Sequence, residues 1–374
     1  MNPAPHQVEG EGSSIYQLNQ LYFHLTRGCN LRCRHCWVSP KDQGDRQSHP
    51  SLDLHLFYSI VEQARRLGLS AVKLTGGEPL IHPNICEILD HIAKEEMDLT
   101  IETNGVCCTP ELAAKMKACK NSFVSVSIDG SELETHEWVR GVEGSFEAAL
   151  QGIRNLVAAG FEPQVIMSVM RRNKDQIEPL VRLAESLGAG SVKFNIVQPS
   201  GRGERMHQKE ETLSIEELVE LGQWVERELA LSARIKLFYS HPPAFRPLSK
   251  MFGDNGDGAG ACGIFGILGV LGDGSYALCG IGETVPELVF GNAGTDRLED
   301  VWKNTPVLKE IREGLPLQLK GVCADCVLKS LCLGSCIAQN YYRTKDIWAP
   351  FWYCEEARDR GMFPESRVLR KPQQ

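Results

Sequence analysis

Cys29, Cys33 and Cys36 form a Cys-x3-Cys-x2-Cys run directly after the apolar segment Leu21–Thr26. A four-iron cube is normally held by four cysteine thiolates, so three close thiols with no fourth nearby leave one iron open. Catalytic metal sites keep an open position, whereas structural sites close it. The run therefore reads as a reactive cluster site. A second set of thiols lies far along the chain, at Cys262, Cys279, Cys323, Cys326, Cys332, Cys336 and Cys354. Taken alone, the Cys323-x2-Cys326 pair with two further cysteines suits a structural zinc ion equally well. Seven thiols exceed one zinc site, and the N-terminal run already implies an iron-loaded protein. Cys86, Cys107, Cys108 and Cys119 fall into no spaced group and read as ordinary buried or half-buried thiols.

The 374 residues, 42% hydrophobic and 24% charged, leave room for one large α/β domain and a smaller one. A net charge of −8 gives a nucleic-acid partner no electrostatic support. Arg32, Arg34, Arg171 and Arg172 are too scattered to track a phosphate backbone. No apolar run reaches the roughly 18 residues of a membrane span. Met1–Gly12 lacks the basic start and apolar centre of a signal peptide. Fourteen cysteines without an export signal point to metal ligation in a reducing, cytoplasmic setting rather than to disulfides.

The elements that must position these thiols alternate from about residue 20 to 235. Strands are expected at Leu21–Thr26, Ala71–Thr75, Leu99–Thr103, Phe123–Ile128, Gln164–Met170 and Val192–Val197, each a short apolar or β-branched run. Between them Leu56, Ile60, Ala64 and Leu67 share a helix face, as do Ile177, Leu180, Val181, Ala184 and Leu187. Thr109-Pro110 and the capping box Ser214-x-x-Glu217 mark helix starts, and Gly68, Gly160 and Gly188 mark stops. Six strand–helix repeats with right-handed crossovers predict a partial, laterally open (β/α)6 barrel of the TIM-like kind. The alternation stops around Ile235–Pro247. Short strands are expected near Ile264–Leu271 and Ser275–Leu278, with helix near Leu298–Arg312. The expected organisation is a flexible leader over 1–19, the barrel over 20–235, and a cysteine-rich domain with its tail over 236–374.

Gly76-Gly77-Glu78-Pro79 follows the second strand, where two glycines allow close backbone approach and proline fixes a turn. This tetrapeptide, about forty residues after the Cys-x3-Cys-x2-Cys run, resembles the pairing found in radical S-adenosylmethionine (SAM) enzymes. The resemblance implies a [4Fe-4S] cluster on Cys29, Cys33 and Cys36 whose open iron binds SAM. It places the SAM amino group on Gly76, Gly77, Glu78 and Pro79. It assigns ribose and carboxylate contacts to strand-end residues Glu102, Asn104, Ser125, Ser127 and Asp129, and a carboxylate contact to Arg140. His35 sits where the family usually packs an aromatic residue near adenine.

The C-terminal cysteines, with Gly274 between Cys262 and Cys279, resemble the seven-cysteine SPASM pattern of two auxiliary [4Fe-4S] clusters. The resemblance puts Cys323, Cys326, Cys332 and Cys354 on an outer cluster and Cys262, Cys279 and Cys336 on an inner one. Some members supply a fourth inner ligand where this chain has Gly256, which has no donor. Asp254 or Asp257 would be a poorer, harder substitute, so the inner cluster is expected to keep an open iron. Anaerobic sulfatase maturases carry an aspartate directly after the Cys279 position, where this chain has Gly280, which sets formylglycine formation below peptide crosslinking.

The implied function is oxidative maturation of a ribosomally made peptide by C–H abstraction, with an open inner iron favouring a thioether. The implied partners are the peptide or small-protein substrate and a low-potential donor such as ferredoxin or flavodoxin. Only a short segment precedes the first strand, so no leader-binding module is expected there. Heme-pathway relatives that decarboxylate tetrapyrrole side chains form the alternative enzyme reading. A zinc-stabilised binding protein forms the non-catalytic one.

Overall fold

A computed structural model describes residues 16–39, 50–253, 256, 258, 260 and 262–369. Six parallel strands follow one another in chain order: β1 (Gln20–His24), β2 (Ala71–Thr75), β3 (Asp98–Thr103), β4 (Lys120–Ser127), β5 (Gln164–Val169) and β6 (Ser191–Ile196), with a register shift between β3 and β4. Each coincides, within a few residues, with a strand expected from the sequence. Helices α1 (Leu54–Arg65), α2 (Ile85–Lys94), α3 (Pro110–Ala118), α4 (Leu133–Arg140), α5 (Ser145–Ala158) and α6 (Ile177–Leu187) lie between them. Four of the strands alternate: Leu21 and Phe23, Val72 and Leu74, Leu99 and Ile101, and Val192 and Phe194 are buried. The opposite face of the same strands lines the barrel lumen.

On α1 the buried residues are Phe57, Ile60, Val61 and Ala64. The face is turned slightly from the expected Leu56–Leu67 stripe, because the Phe57 ring packs on Phe23 of β1 at 4.8 Å. Each such fully buried aromatic or aliphatic side chain contributes about 1.5–3 kcal/mol. The expected caps are present. Thr109 accepts from Leu112 N at 3.2 Å, Ser214 and Glu217 close a reciprocal capping box, and Gly188 ends α6 at φ +82°.

Two features extend the sheet beyond the sequence expectation. β7 (Lys236–Tyr239) adds a seventh parallel strand beside β6, just where the alternation was expected to stop. β8 (Ile267–Val270) pairs in parallel with β1 on the other edge, and β9 (Ser275–Ala277) and β10 (Val289–Asn292) continue antiparallel. The result is one ten-stranded sheet, ordered β10-β9-β8-β1-β2-β3-β4-β5-β6-β7. Strand pairing thus crosses residue 236 at both edges. The helical stretch near Leu298–Arg312 is two helices, Leu298–Asn304 and Pro306–Gly314. Residues 1–15 of the expected leader lie outside the described residues. Its last part is packed: Leu18 is fully buried, and the Trp302 indole N–H donates to the Tyr16 carbonyl at 2.8 Å. Among the described residues no helix is long and apolar enough to cross a membrane.

Candidate active site

The three-cysteine loop leaves β1 and is fixed from two sides. Gly77 N donates to the Thr26 carbonyl and Glu78 N to the Gly28 carbonyl, both at 2.9 Å. From the other side, Arg32 N and Arg34 N donate to the carbonyls of Arg140 and Val139 at the end of α4, at 2.9 Å each. Those carbonyls are helix-terminal groups with no intrahelical donor, so the loop completes α4 while α4 holds the loop. Gly76 lies at φ +132°, and a Cβ there would meet the Thr26 carbonyl at 2.8 Å. A Cβ on Gly77 would reach 1.9 Å from the Gly28 carbonyl oxygen. The Gly-Gly pair is therefore required by contact with the cysteine loop.

Glu78 is buried, and burial raises its pKa. Its carboxylate accepts from Thr103 Oγ1 at 2.6 Å, Asn104 N at 2.8 Å and Leu80 N at 3.0 Å. A carboxylate offers about four acceptor directions, so one remains for an ammonium group. Asn104 donates to the Asn30 side chain at 2.7 Å and accepts from Val106 N at 3.0 Å, tying the β3 end to the cysteine loop.

Asp129, Arg140 and His35 form a buried knot beside the thiols. Asp129 is fully buried, meets Arg140 at 2.8 Å and His35 at 2.9 Å, and accepts from Ser168 N at 2.7 Å. Burial opposes its charge, yet the Arg140 guanidinium and His35 hold its pKa well below the usual carboxylate range. Arg140 also donates to Cys33 Sγ at 3.5 Å, and its Nε has no partner. His35 thus bonds to Asp129 through Nε2 at 2.9 Å. Ser125 donates to Gln164 at 3.4 Å within the sheet, while Ser127 is half-buried at the end of β4. Glu102, one residue before Thr103, pairs with Lys73 at 2.7 Å.

The thiols fit iron–sulfur ligation. Burial raises the pKa of Cys29 and Cys33, so each thiolate needs a cation, and Leu31 N already donates to Cys29 Sγ at 3.4 Å. Farther along, Cys323, Cys326, Cys332 and Cys354 line one cavity of about 20 Å³. Phe351 N and Leu328 N donate to the sulfurs of Cys323 and Cys326, both at 3.4 Å. Burial pushes the Cys279 thiol up to about 12, Cys279 feels Cys336 and Cys262, and Cys262 and Cys279 bear on Tyr22 and Lys73 of the lumen. Among the described residues no three ligating side chains surround a single-ion site; a four-iron cube takes its thiolates at separate corners. Asp254 and Asp257 lie outside the described residues.

At Gly280, a Cβ would fall 2.0 Å from His24 Nε2 and 2.8 Å from the Trp37 ring. His24 is buried, and burial lowers its pKa to about 4, so it is a neutral imidazole. Sequence reasoning missed His24, Lys73 and Lys193. The available signal was an isolated polar or charged residue within an otherwise apolar strand, as in Ala71-Val-Lys-Leu-Thr75 and Ser191-Val-Lys-Phe-Asn-Ile196.

Two family descriptions match the chain: the radical SAM superfamily over residues 23–184, and the SPASM iron–sulfur cluster-binding domain over 262–327. The AdoMet-dependent heme synthase of Methanosarcina barkeri is 30% identical over 343 residues, covering 89% of this chain and 95% of that protein. The mycofactocin maturase MftC of Mycobacterium ulcerans is 28% identical over 358 residues, covering 94% of this chain and 92% of that one. The fold is similar to Streptococcus suis SuiB, solved bound to the precursor peptide SuiA. The TM-score is 0.70 at 17% identity, over 91% of this chain and 76% of that one. The cysteine loop, its glycine-rich partner and the C-terminal thiols therefore belong to one ligand system: the chain is a radical SAM enzyme with a C-terminal SPASM iron–sulfur domain.

Proposed function

We propose that this enzyme oxidatively modifies a ribosomally made peptide. The observation that carries the reading is the likeness to mycofactocin maturase MftC over 92% of that protein's length. When bound, SAM and its cluster supply a 5'-deoxyadenosyl radical able to take hydrogen from an unactivated C–H bond. Cys29, Cys33 and Cys36 would hold that cluster. Gly76–Pro79 set the loop geometry, with the free acceptor direction of Glu78 turned to the SAM ammonium. The Asp129–Arg140–His35 knot stiffens the mouth and brings an N–H donor to Cys33. The thiols of Cys323, Cys326, Cys332 and Cys354 would hold an outer auxiliary cluster, and Cys262, Cys279 and Cys336 an inner one with an open iron. That vacancy suits a substrate thiolate and hence thioether formation. The setting would be cytoplasmic, with ferredoxin or flavodoxin as electron donor.

Formylglycine formation stays below this reading, because His24 fills the space in which a residue-280 side chain would stand. Tetrapyrrole side-chain decarboxylation is the second reading, supported by the 30% identity to the M. barkeri heme synthase over 95% of its length.

The test is anaerobic incubation with SAM, dithionite and a small peptide encoded beside the gene, followed by mass spectrometry. Loss of two hydrogens from the peptide is expected. An unchanged peptide, with loss of carbon dioxide from a porphyrin propionate instead, overturns the reading. The reconstituted protein should carry about twelve irons, and Cys332→Ala should lose about four of them while keeping the SAM-cluster signal.

A further inference from the structure

β6 carries a lysine in an apolar strand. Val192, Phe194 and Ile196 are buried in the core, so Lys193 and Asn195 face the lumen. Across the lumen Lys73 of β2 meets Glu102 of β3 at 2.7 Å and lies 5.1 Å from the Tyr22 ring centroid. Glu102 keeps its charge, its pKa lowered against burial chiefly by Lys73 and with help from Lys193. Lys193 differs from Lys73 in having no carboxylate within 4.0 Å among the described residues. Burial lowers its pKa, Glu102 opposes that shift, and Lys73 adds to it. Tyr22 and His24, the lumen side chains of β1, are neutral. Two lysines therefore share one carboxylate, with Glu102 paired to Lys73. Filling the lumen would strip water from Lys193, and an unpaired desolvated ammonium is costly unless an anion arrives with the occupant.

We propose that Lys193 receives a carboxylate of the substrate, with Lys73 as its second cation. The carboxylate comes from a peptide C-terminus or from an Asp or Glu side chain. This rests on the peptide reading above. Neither of two other anions takes that place. Arg140, with its unpartnered Nε beside Cys33, stands at the cluster mouth for the carboxylate of SAM. The inner-cluster thiols bear on Lys73, with no such effect between them and Lys193.

The test uses reconstituted, SAM-loaded enzyme and three pools of N-acetylated random hexapeptides, with retention read by mass spectrometry. One pool has a free C-terminus and no Asp or Glu. The second is C-terminally amidated and contains Asp and Glu. The third is amidated and lacks them. At least one carboxylate pool should be retained roughly tenfold over the neutral pool, a difference of about 1.4 kcal/mol; which one identifies the source. Lys193→Met should erase the preference and Lys193→Arg should keep it, with SAM affinity unchanged. Lys193→Gln serves if the Met variant fails to fold. Equal retention of all three pools overturns the carboxylate site and leaves the peptide reading standing. Retention of none likewise overturns the carboxylate site, while the peptide reading is decided by the fate of the encoded peptide. A preference that survives in Lys193→Met and Lys193→Gln also overturns the site, and weakened SAM binding or a shifted inner-cluster potential in those variants would then reassign the lysine.

Discussion

Gly77 lies against Gly28 so closely that a Cβ on Gly77 would stand 1.9 Å from the Gly28 carbonyl oxygen. Backbone cannot yield as the tip of a side chain can, so Gly77→Ala must push the cysteine loop away from β2. The expected outcome is loss of roughly four irons per chain and of the SAM-cluster signal in paramagnetic resonance, with the C-terminal thiols still loaded. Full iron content in this variant would show that the loop tolerates the displacement.

Removing one partner of the Asp129–Arg140 pair leaves a buried charge. Arg140→Met should cost about 3–5 kcal/mol, whereas the double variant Asp129→Leu/Arg140→Met should cost less than the sum of the single ones. Denaturation midpoints of the four proteins give the coupling. Additive losses would mean that the 2.8 Å contact contributes little.

His136 accepts from Asp129 N through Nδ1 at 3.3 Å, and its Nε2 is buried without a partner. Burial, then Arg140, lowers its pKa to about 3. An unfolded histidine titrates near 6.5, so the unfolded chain takes up this proton first as the pH falls. Stability from His136 is complete above about pH 6.5 and is lost progressively toward pH 3, by about 2 kcal/mol between pH 7 and pH 5. His136→Asn, which retains an acceptor, should remove that share of the pH dependence in denaturant titrations. An unaltered slope would contradict the assignment.

Gly280→Asp installs the acid expected of sulfatase maturases, but its Cβ would overlap the His24 ring. Overpacking of this kind costs about 1–3 kcal/mol. The single variant should lower the denaturation midpoint, and Gly280→Asp/His24→Ala should recover most of the loss. A double variant no more stable than the single one would place the strain elsewhere.

Much of the site was legible because its determinants are local. Ligand spacing puts Cys29, Cys33 and Cys36 on one loop, and short apolar or β-branched runs mark all six barrel strands. The glycine pair at 76–77 announces a close backbone approach, though not the neighbour it approaches. β7 escaped notice because Lys-Leu-Phe-Tyr is too short to signal a strand without β6 beside it. The pairing of β8 with β1 joins residues about 250 positions apart, and no local pattern carries such information.

By itself the sequence determined the chemistry, since a cluster needs thiolates and a barrel needs alternating apolar strands. Only the tertiary structure decided the partners. It turned Asp129, Arg140 and His35 toward one another and set His24 against Gly280. It also left Lys193 facing Lys73 and Glu102 across the lumen. Those relationships depend on sheet closure, which brings distant strands within the few ångströms over which charge and packing act.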